Sequence, residues 1–470
     1  MGSKFIKWFK LICMAMLVGI GAVQLIYAIA WAIQNGNNIQ DFYDTGVYLV
    51  NAETLSCDGW RLMGYSHILR FFMLFKDLMG DSYIILVYLA QVIISVACFA
   101  EGFRGIMCAI FEKKISFWRS LLPATYIITI PVIWQIQFAV LPDALCLSLI
   151  VVLFTKTLEA FWGYKRFGWD CSLIIAGCLL LLGVLHRHYF YGAICMMSIE
   201  ALILLVRLFI KKYYSLKSFL GTCILIIVVV LVPIVVKETN ESVPKEEIYA
   251  TYSIEADLWS RFVYPNLEKD YSAYSNRITA IINDYAVDVC AGTYEYYMNS
   301  IGPMIEINNP EESSAIYWEM VETGWLLHKE EMTRGTIKEI VSYMCMPFSM
   351  VKYMYYSGVS LYGHNYTKMH EMSPMLTADY MHISMIGFAV ISFIGCIHFL
   401  FMFIVEKNGK GRKIVVGLHL LFSLLCITLP AMIFSVARFD YRIGLFSVFI
   451  WAGFALANIC GQRSKGEKCE

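Results

Sequence analysis

The chain carries little charge for its length. Only 16% of its 470 residues are Asp, Glu, Lys or Arg, and the formal net charge is zero, whereas an average soluble domain has about 25% charged residues. There is no basic tract or zinc-knuckle pattern, so the electrostatic footprint of a nucleic-acid-binding protein is absent. The 15 cysteines contain no Cys-x-x-Cys pair. We therefore expect most of them to be small buried hydrophobes rather than metal ligands or a disulfide framework.

Apolar residues dominate instead. They make up 59% of the sequence, the mean hydropathy is +0.61, and apolar runs of about 20 residues, the length of a membrane-spanning helix, recur along the chain. We predict an all-α, polytopic transmembrane helical bundle with an extracytoplasmic helical loop domain. The bundle has about ten spans, which we place at residues 11–32, 82–100, 119–136, 141–160, 171–186, 190–210, 218–236, 381–404, 414–434 and 441–460.

The basic residues indicate an orientation. Lys and Arg fall in alternate connections between the predicted spans, so the positive-inside rule places both termini in the cytoplasm. The first apolar run, 11–32, is longer than the 7–15 residues typical of a signal peptide, which favours an uncleaved first span. The expected organisation is an N-terminal membrane module (1–236) with its outer loop at 33–80, an extracytoplasmic segment (237–380) and C-terminal membrane helices (381–470).

Acidic residues mark two places at the outer membrane face. Asp41 and Asp44 follow the first apolar run three residues apart, so both can lie on one face of a helical turn. Asp143 stands at the outer start of the fourth predicted span. It is either a carboxylate facing the N-terminal end of a helix macrodipole or a second acidic group of the same site.

Basic residues occupy two further outer corners. In His186-Arg187-His188 the histidine pair is weak evidence for a metal, whereas Arg187 would be explained by an anionic ligand or a lipid headgroup, since short outer loops avoid positive charge. Arg438 and Arg442 lie four residues apart at the last outer corner. Two guanidinium groups on one helix face suit a phosphate, although arginines at such a depth also extend towards lipid headgroups.

Glu200 falls in the middle of a predicted span. An intramembrane carboxylate is a functional hypothesis by default. A structural partner, such as a Gln on a neighbouring helix, explains it equally well.

Several short motifs together resemble those of the class C (GT-C) membrane glycosyltransferases, near the dolichyl-phosphate-mannose–protein mannosyltransferase and bacterial lipid A glycosyltransferase branches. The similar segments are Asp44-Thr-Gly-Val-Tyr48-Leu-Val-Asn-Ala52, Gly64-Tyr65-Ser66, Leu141-Pro-Asp143-Ala-Leu and Ala437-Arg438-Phe-Asp-Tyr-Arg442. Two departures stand out. Ser66 replaces the family's usual Pro. The first loop has no Asp-Glu or Asp-x-Asp pair, so a divalent metal is possible but unsupported, and no cofactor is assigned. The 237–380 segment matches no part of the family pattern.

The resemblance implies transfer of a sugar from a polyprenyl-phosphate donor to a lipid, glycan or protein acceptor at the outer face of a bacterial plasma membrane. Asp44 would be the general base, and Asp41 and Asp143 would orient the acceptor or tune Asp44. The arginines would stabilise the leaving phosphate, and inversion is the expected stereochemical course. The donor phosphate ligands are Arg438, Arg442 and Arg187, and the supporting residues are Tyr48, Tyr65, His186 and His188.

Two other functions remain open from the sequence. A lipid-linked sugar transporter or flippase would use the same basic corners to hold a lipid phosphate, but transporter sites usually lie near the bilayer midplane. An oligosaccharide repeat-unit polymerase or ligase would share the many spans and the large outer segment. The Asp44 motif favours the transferase.

Overall fold

The chain folds as a set of helices. Within the residues that the structure, a computed structural model, describes, every regular element is helical and no strand occurs. The predicted all-α class is therefore confirmed. The described residues are 8, 11–12, 15, 18–26, 29, 45–56, 62–111, 115–130, 133, 136–162, 167–210, 215–241, 275–285, 311–327, 329–345, 389–397, 400, 404, 412–434 and 441–460.

The helices are numbered here in chain order. They are α1 Thr45–Thr54, α2 Met63–Met73, α3 Lys76–Met79, α4 Ile84–Phe111, α5 Phe117–Ile128, α6 Asp143–Trp162, α7 Trp169–Leu185, α8 Arg187–Ile210, α9 Leu216–Glu241, α10 Asn276–Tyr285, α11 Ser313–Leu327, α12 Lys329–Met344, α13 Arg412–Phe434 and α14 Tyr441–Cys460. A 3-10 turn, Gly80–Tyr83, joins α3 to α4.

Three helical stretches in the described ranges are long and apolar enough to cross a membrane. They are Lys76–Phe111, Arg187–Ile210 and Leu216–Asn240, with mean hydropathies of 2.3, 2.3 and 3.2 in their most apolar windows. Shorter apolar helical stretches occur at Trp169–Leu185, Ile414–Leu429 and Leu445–Ala457. These features indicate a membrane protein, while the number of ten spans and the orientation of the termini stay predictions.

Two predicted spans differ from the helices. The span 82–100 is too short, because α4 continues to Phe111. Arg104 Nε donates to Glu101 Oε2 at 2.7 Å, and this pairing across one helical turn lets two charged residues stay in the helix. The span 119–136 is wrong as a single helix, since α5 ends at Ile128 and a turn follows. Pro131 comes next in the sequence, and a proline disfavours helical backbone in the residue before it.

The membrane helices form one bundle with a shared core. Helix α4 runs along α5 and α6, α7 runs along α9, and α8 runs along α13, while α14 packs on both α13 and α4. Phe449 of α14 is central to the contact with α4, because its ring lies 5.4 Å from that of Phe99 and 5.2 Å from that of Phe103. Dense packing of this kind holds the ends of the helices in register, which the candidate site requires.

The predicted outer loop 33–80 is organised rather than a simple linker. Helices α1 and α2 pack on each other, and α2 also packs on α7 and α4. Beyond the end of α9, the helices described in the segment 237–380 are α10, α11 and α12. Helix α12 packs on α13 and α14. The predicted boundary at 236 falls inside α9, which extends to Glu241.

Candidate functional site

Asp143 begins α6, as the sequence predicted for the start of a span. Its side chain is only 2% exposed, and its Oδ1 accepts a hydrogen bond of 3.1 Å from the hydroxyl of Tyr189 on α8. A carboxylate at a helix N-terminus is stabilised by the positive end of the macrodipole. This geometry is compatible with both predicted roles of Asp143. The carboxylate lies at a helix N-terminus, and its hydrogen bond to Tyr189 also fixes its orientation, as a second acidic group of the site would require.

The predicted corner at His186-Arg187-His188 is present and tight. Helix α7 ends at Leu185, His186 is its capping residue, and α8 begins at Arg187. The His186 ring lies 5.1 Å from the His188 ring and 5.0 Å from the Tyr189 ring. Because Tyr189 reaches Asp143, the corner brings both histidines and the backbone of Arg187 to the end of the bundle where α6 starts.

Tyr65 joins α2 to this end of the bundle. It is fully buried, and its hydroxyl donates to Gln91 Oε1 of α4 at 2.9 Å. Burial, with smaller contributions from Tyr88, Tyr48 and Asp143, holds the pKa of Tyr65 well above its ordinary value. The phenol therefore stays protonated and remains a hydrogen-bond donor.

Gln91 also positions the turn that leads into Asp143. Its Nε2 donates to the backbone oxygens of Gln137 and Ala139, at 2.8 and 3.1 Å. Each of these carbonyls is a strong acceptor that would be costly to leave unpaired in a buried place. One amide side chain thus connects Tyr65 of α2 to the segment immediately before α6.

Tyr48, the predicted supporting residue of the Asp44 motif, lies against Tyr65. The two rings meet edge to face with their centroids 5.2 Å apart, a favourable arrangement for aromatic pairs. Ser66 Oγ donates to the Tyr48 backbone oxygen at 3.3 Å. A proline at position 66 would have no hydroxyl to make this bond.

Gly64 permits the close contact between α2 and the end of α7. A Cβ atom at position 64 would lie 2.5 Å from the backbone oxygen of Val184 and 2.8 Å from its carbonyl carbon. Real Cβ atoms do not approach backbone so closely, so only glycine fits without a shift of one helix. The three residues of the Gly64-Tyr65-Ser66 motif therefore have complementary roles. Gly64 allows the close approach to α7, Tyr65 is the buried donor to Gln91, and Ser66 bonds back to α1.

The remaining predicted site residues are not placed by the structure. Asp41, Asp44 and Arg438 lie outside the described residues, and for Arg442 only the backbone, one residue into α14, is described. Asp44 is the residue directly before Thr45, the buried first residue of α1. Among the described residues, no group of three or more His, Cys, Asp or Glu side chains is arranged to hold a metal ion.

A second polar cluster lies deeper in the bundle, around Glu200. Glu200 Oε1 of α8 is 3.1 Å from His419 Nδ1 of α13, and His419 Nε2 is 2.9 Å from Thr157 Oγ1 of α6. All three side chains are buried. The sequence flagged Glu200 but suggested a Gln as its partner, and the partner is a histidine.

Sequence reasoning missed several residues that organise these clusters. Gln91, Gln137 and His419 were passed over, although each interrupts a strongly apolar stretch and a polar group there needs partners. Gln137 Oε1 accepts from Ser95 at 3.0 Å, and its buried Nε2 makes no hydrogen bond within the described part of the chain. Tyr189 carried no usable signal, because tyrosine is common at membrane interfaces.

No family model, curated protein or solved structure matches this chain. The resemblance to the GT-C enzymes therefore rests on the short motifs alone.

Proposed function

We propose that this protein is a membrane glycosyltransferase that moves a sugar from a polyprenyl-phosphate carrier to an acceptor at the membrane face where α6 begins. The observation that carries the proposal is the convergence of separate predicted motifs on one end of the bundle. Tyr48 and Tyr65 from the outer loop, through Gln91, reach the turn before Asp143. The helix that follows Asp44 in the sequence is part of this assembly.

The proposed reaction is a direct displacement. The acceptor hydroxyl attacks the anomeric carbon, the bond from that carbon to the phosphate oxygen breaks, and polyprenyl phosphate leaves with the bonding electron pair. Asp44 takes the acceptor proton, a role worth about 10²–10⁴-fold in rate. Attack opposite the leaving group inverts the anomeric centre.

The other residues act on orientation and charge. Asp143, held by Tyr189 at 3.1 Å, orients the acceptor together with Asp41. Arg438, Arg442 and Arg187 stabilise the negative charge that grows on the phosphate as the bond breaks, and preorganised donors of this kind are worth about 3 kcal/mol each. Tyr48, Tyr65, His186 and His188 support the site by packing and hydrogen bonding.

A lipid-linked sugar transporter is the second candidate, and one observation favours it. Glu200 is 13 residues into α8, which places it about 20 Å along the helix from the Arg187 end. Transporters commonly place ionisable groups at such a depth in the bilayer. Glu200 and His419, which contact each other in the buried interior, are ionisable groups of the kind that transporters place there.

The test is reconstitution of the purified chain in liposomes with radiolabelled polyprenyl-phosphate mannose or polyprenyl-phosphate glucose. For a transferase, label moves into lipid, glycan or protein fractions of added membranes, and free polyprenyl phosphate appears. Asp44→Asn keeps shape but removes the base, so transfer should fall by about 100-fold or more. Asp77→Asn, an exposed carboxylate in the same outer loop, is the matched control and should transfer normally.

Two results would contradict this function. One is a folded Asp44→Asn protein that transfers sugar as fast as the wild type. The other is a wild-type protein that carries labelled lipid across the liposome membrane without ever cleaving it, which would establish the transporter.

A further inference from the structure

The Glu200 cluster connects three helices through a line of polar atoms. Glu200 on α8 meets His419 on α13 at 3.1 Å, and His419 meets Thr157 on α6 at 2.9 Å. About two turns earlier on α8, Gly192 lets α8 and α13 pack closely, because a Cβ there would lie 3.1 Å from the backbone Cα of Ile427 on α13. The cluster is about 20 Å along α8 from its Arg187 end, so it is separate from the candidate catalytic residues.

The hydrogen bonds of Thr157 determine the state of the histidine ring. A hydroxyl has one hydrogen, and Thr157 Oγ1 donates it to the backbone oxygen of Phe154 at 2.8 Å. Thr157 must then accept from His419, so Nε2 of the ring carries a hydrogen. In a neutral ring the other nitrogen, Nδ1, is a bare acceptor, and Nδ1 is the atom that faces Glu200.

A proton is therefore needed between Glu200 and His419. Without one, the lone pairs of Nδ1 and of a carboxylate oxygen would oppose each other at 3.1 Å. With one proton between them, the pair is either a neutral carboxyl group that donates to Nδ1 or a carboxylate that faces an imidazolium.

Burial indicates which of the two residues holds the proton. Glu200 is 1% exposed, and within the described residues its Oε2 accepts no hydrogen bond. An ionised carboxylate in that state would lose its hydration without compensation, so the neutral acid is favoured. Besides His419, the titratable groups that interact with Glu200 are Arg207 on α8 and Cys426 on α13. Only Arg207 favours the ionised acid, and it lies seven residues, or about two turns, further along the helix.

We propose that Glu200 and His419 form a proton-binding site inside the membrane bundle, in which one proton rests on the Glu200 carboxyl group and is shared with His419 Nδ1. The ligand of this site is the proton itself. The site does not depend on the glycosyltransferase proposal, because it uses none of the catalytic residues.

The first test is infrared difference spectroscopy of the full chain in lipid nanodiscs. The wild type should show the C=O stretching band of a protonated carboxyl group, and the band should shift in D₂O. Glu200→Gln should remove it. Glu101→Gln is the matched control, because Glu101 pairs with Arg104 as a carboxylate, and this change should leave the band intact.

The second test reads the histidine without altering Glu200. Nitrogen-15 NMR of the wild-type chain, with His419 assigned from the signal that His419→Asn removes, should show a neutral ring protonated at Nε2. Thermal unfolding tests whether a hydrogen between position 200 and Nδ1 contributes to stability. In the Glu200→Gln variant the amide can donate a hydrogen to Nδ1, so this variant should unfold near the wild-type temperature. The Glu200→Ala variant has no such donor and should unfold at a lower temperature.

The proposal is overturned by either of two results: a wild-type spectrum in which no carboxyl band depends on Glu200, or an imidazolium signal from His419. If Glu200→Gln fails to fold, the histidine signal of the wild type still decides between a neutral and a charged ring.

Discussion

Substituting Gly64 by alanine would test how α2 is attached to the bundle. The added methyl group would lie 2.5 Å from the backbone oxygen of Val184, and neither atom belongs to a flexible side chain that can turn away. Overpacking of this kind typically costs about 1–3 kcal/mol. Gly64→Ala should therefore either lower the stability of the whole chain or detach α2 from α7.

Gly46→Ala is a matched control in the same loop. Position 46 lies in α1, and a Cβ there would meet no atom within 4 Å. Alanine is better than glycine in a helix by about 0.5–1 kcal/mol, so this change should be neutral or stabilising. Position 64 is also helical, so both variants gain this helix term and it cancels. The two variants, identical in composition, should therefore differ by the overpacking cost of about 1–3 kcal/mol.

Thermal unfolding in detergent measures the global effect, and hydrogen exchange of residues 45–56 and 62–73 measures the local one. For Gly64→Ala we expect faster exchange in both segments, since Tyr65 would be pulled away from Gln91. Equal unfolding temperatures and equal exchange in the two alanine variants would refute the close contact between α2 and α7, and with it the positioning of Tyr65.

Three further predictions concern the site and the topology. Tyr65→Phe leaves Gln91 Oε1 without its donor and should cost about 1–3 kcal/mol in thermal unfolding, whereas Tyr191→Phe, on the exposed part of α8, should cost far less. Arg442→Lys keeps the charge but loses the planar fork, so the kcat of sugar transfer should fall clearly, and unchanged kcat would remove Arg442 from the site. Reporter fusions after Leu55 and after Asn309 should report an extracytoplasmic position, and cytoplasmic activity at either would reverse the predicted orientation.

The sequence was informative where a helix begins or ends at a polar residue. The starts of α6 at Asp143 and of α8 at Arg187 were predicted closely, because an apolar run that meets charged residues usually leaves the membrane there. The predicted span 119–136 was wrong for the opposite reason. Its composition is mostly apolar, and hydropathy does not register that α5 ends at Ile128 ahead of Pro131.

Partners were harder to predict than positions. Glu200 was recognised as unusual, but its contact with His419 joins residues more than 200 positions apart, and no local pattern encodes such a pairing. Gln91 was missed because one amide within an apolar helix has many possible partners. Its bonds to Tyr65, Gln137 and Ala139 follow only from the packing of α4 against α2 and α6.

The two polar clusters together constrain how α6 and α8 can move. At one end Tyr189 of α8 is bonded to Asp143 of α6. Deeper in the bundle, His419 bridges Glu200 of α8 and Thr157 of α6. Along α6 the tied positions are 14 residues apart, or about 20 Å, so a shift of either helix by one turn would break both connections at once and leave buried polar groups unpaired, which is costly. This argues that α6 and α8 behave as one rigid unit, which holds Asp143 in a fixed place at the start of α6.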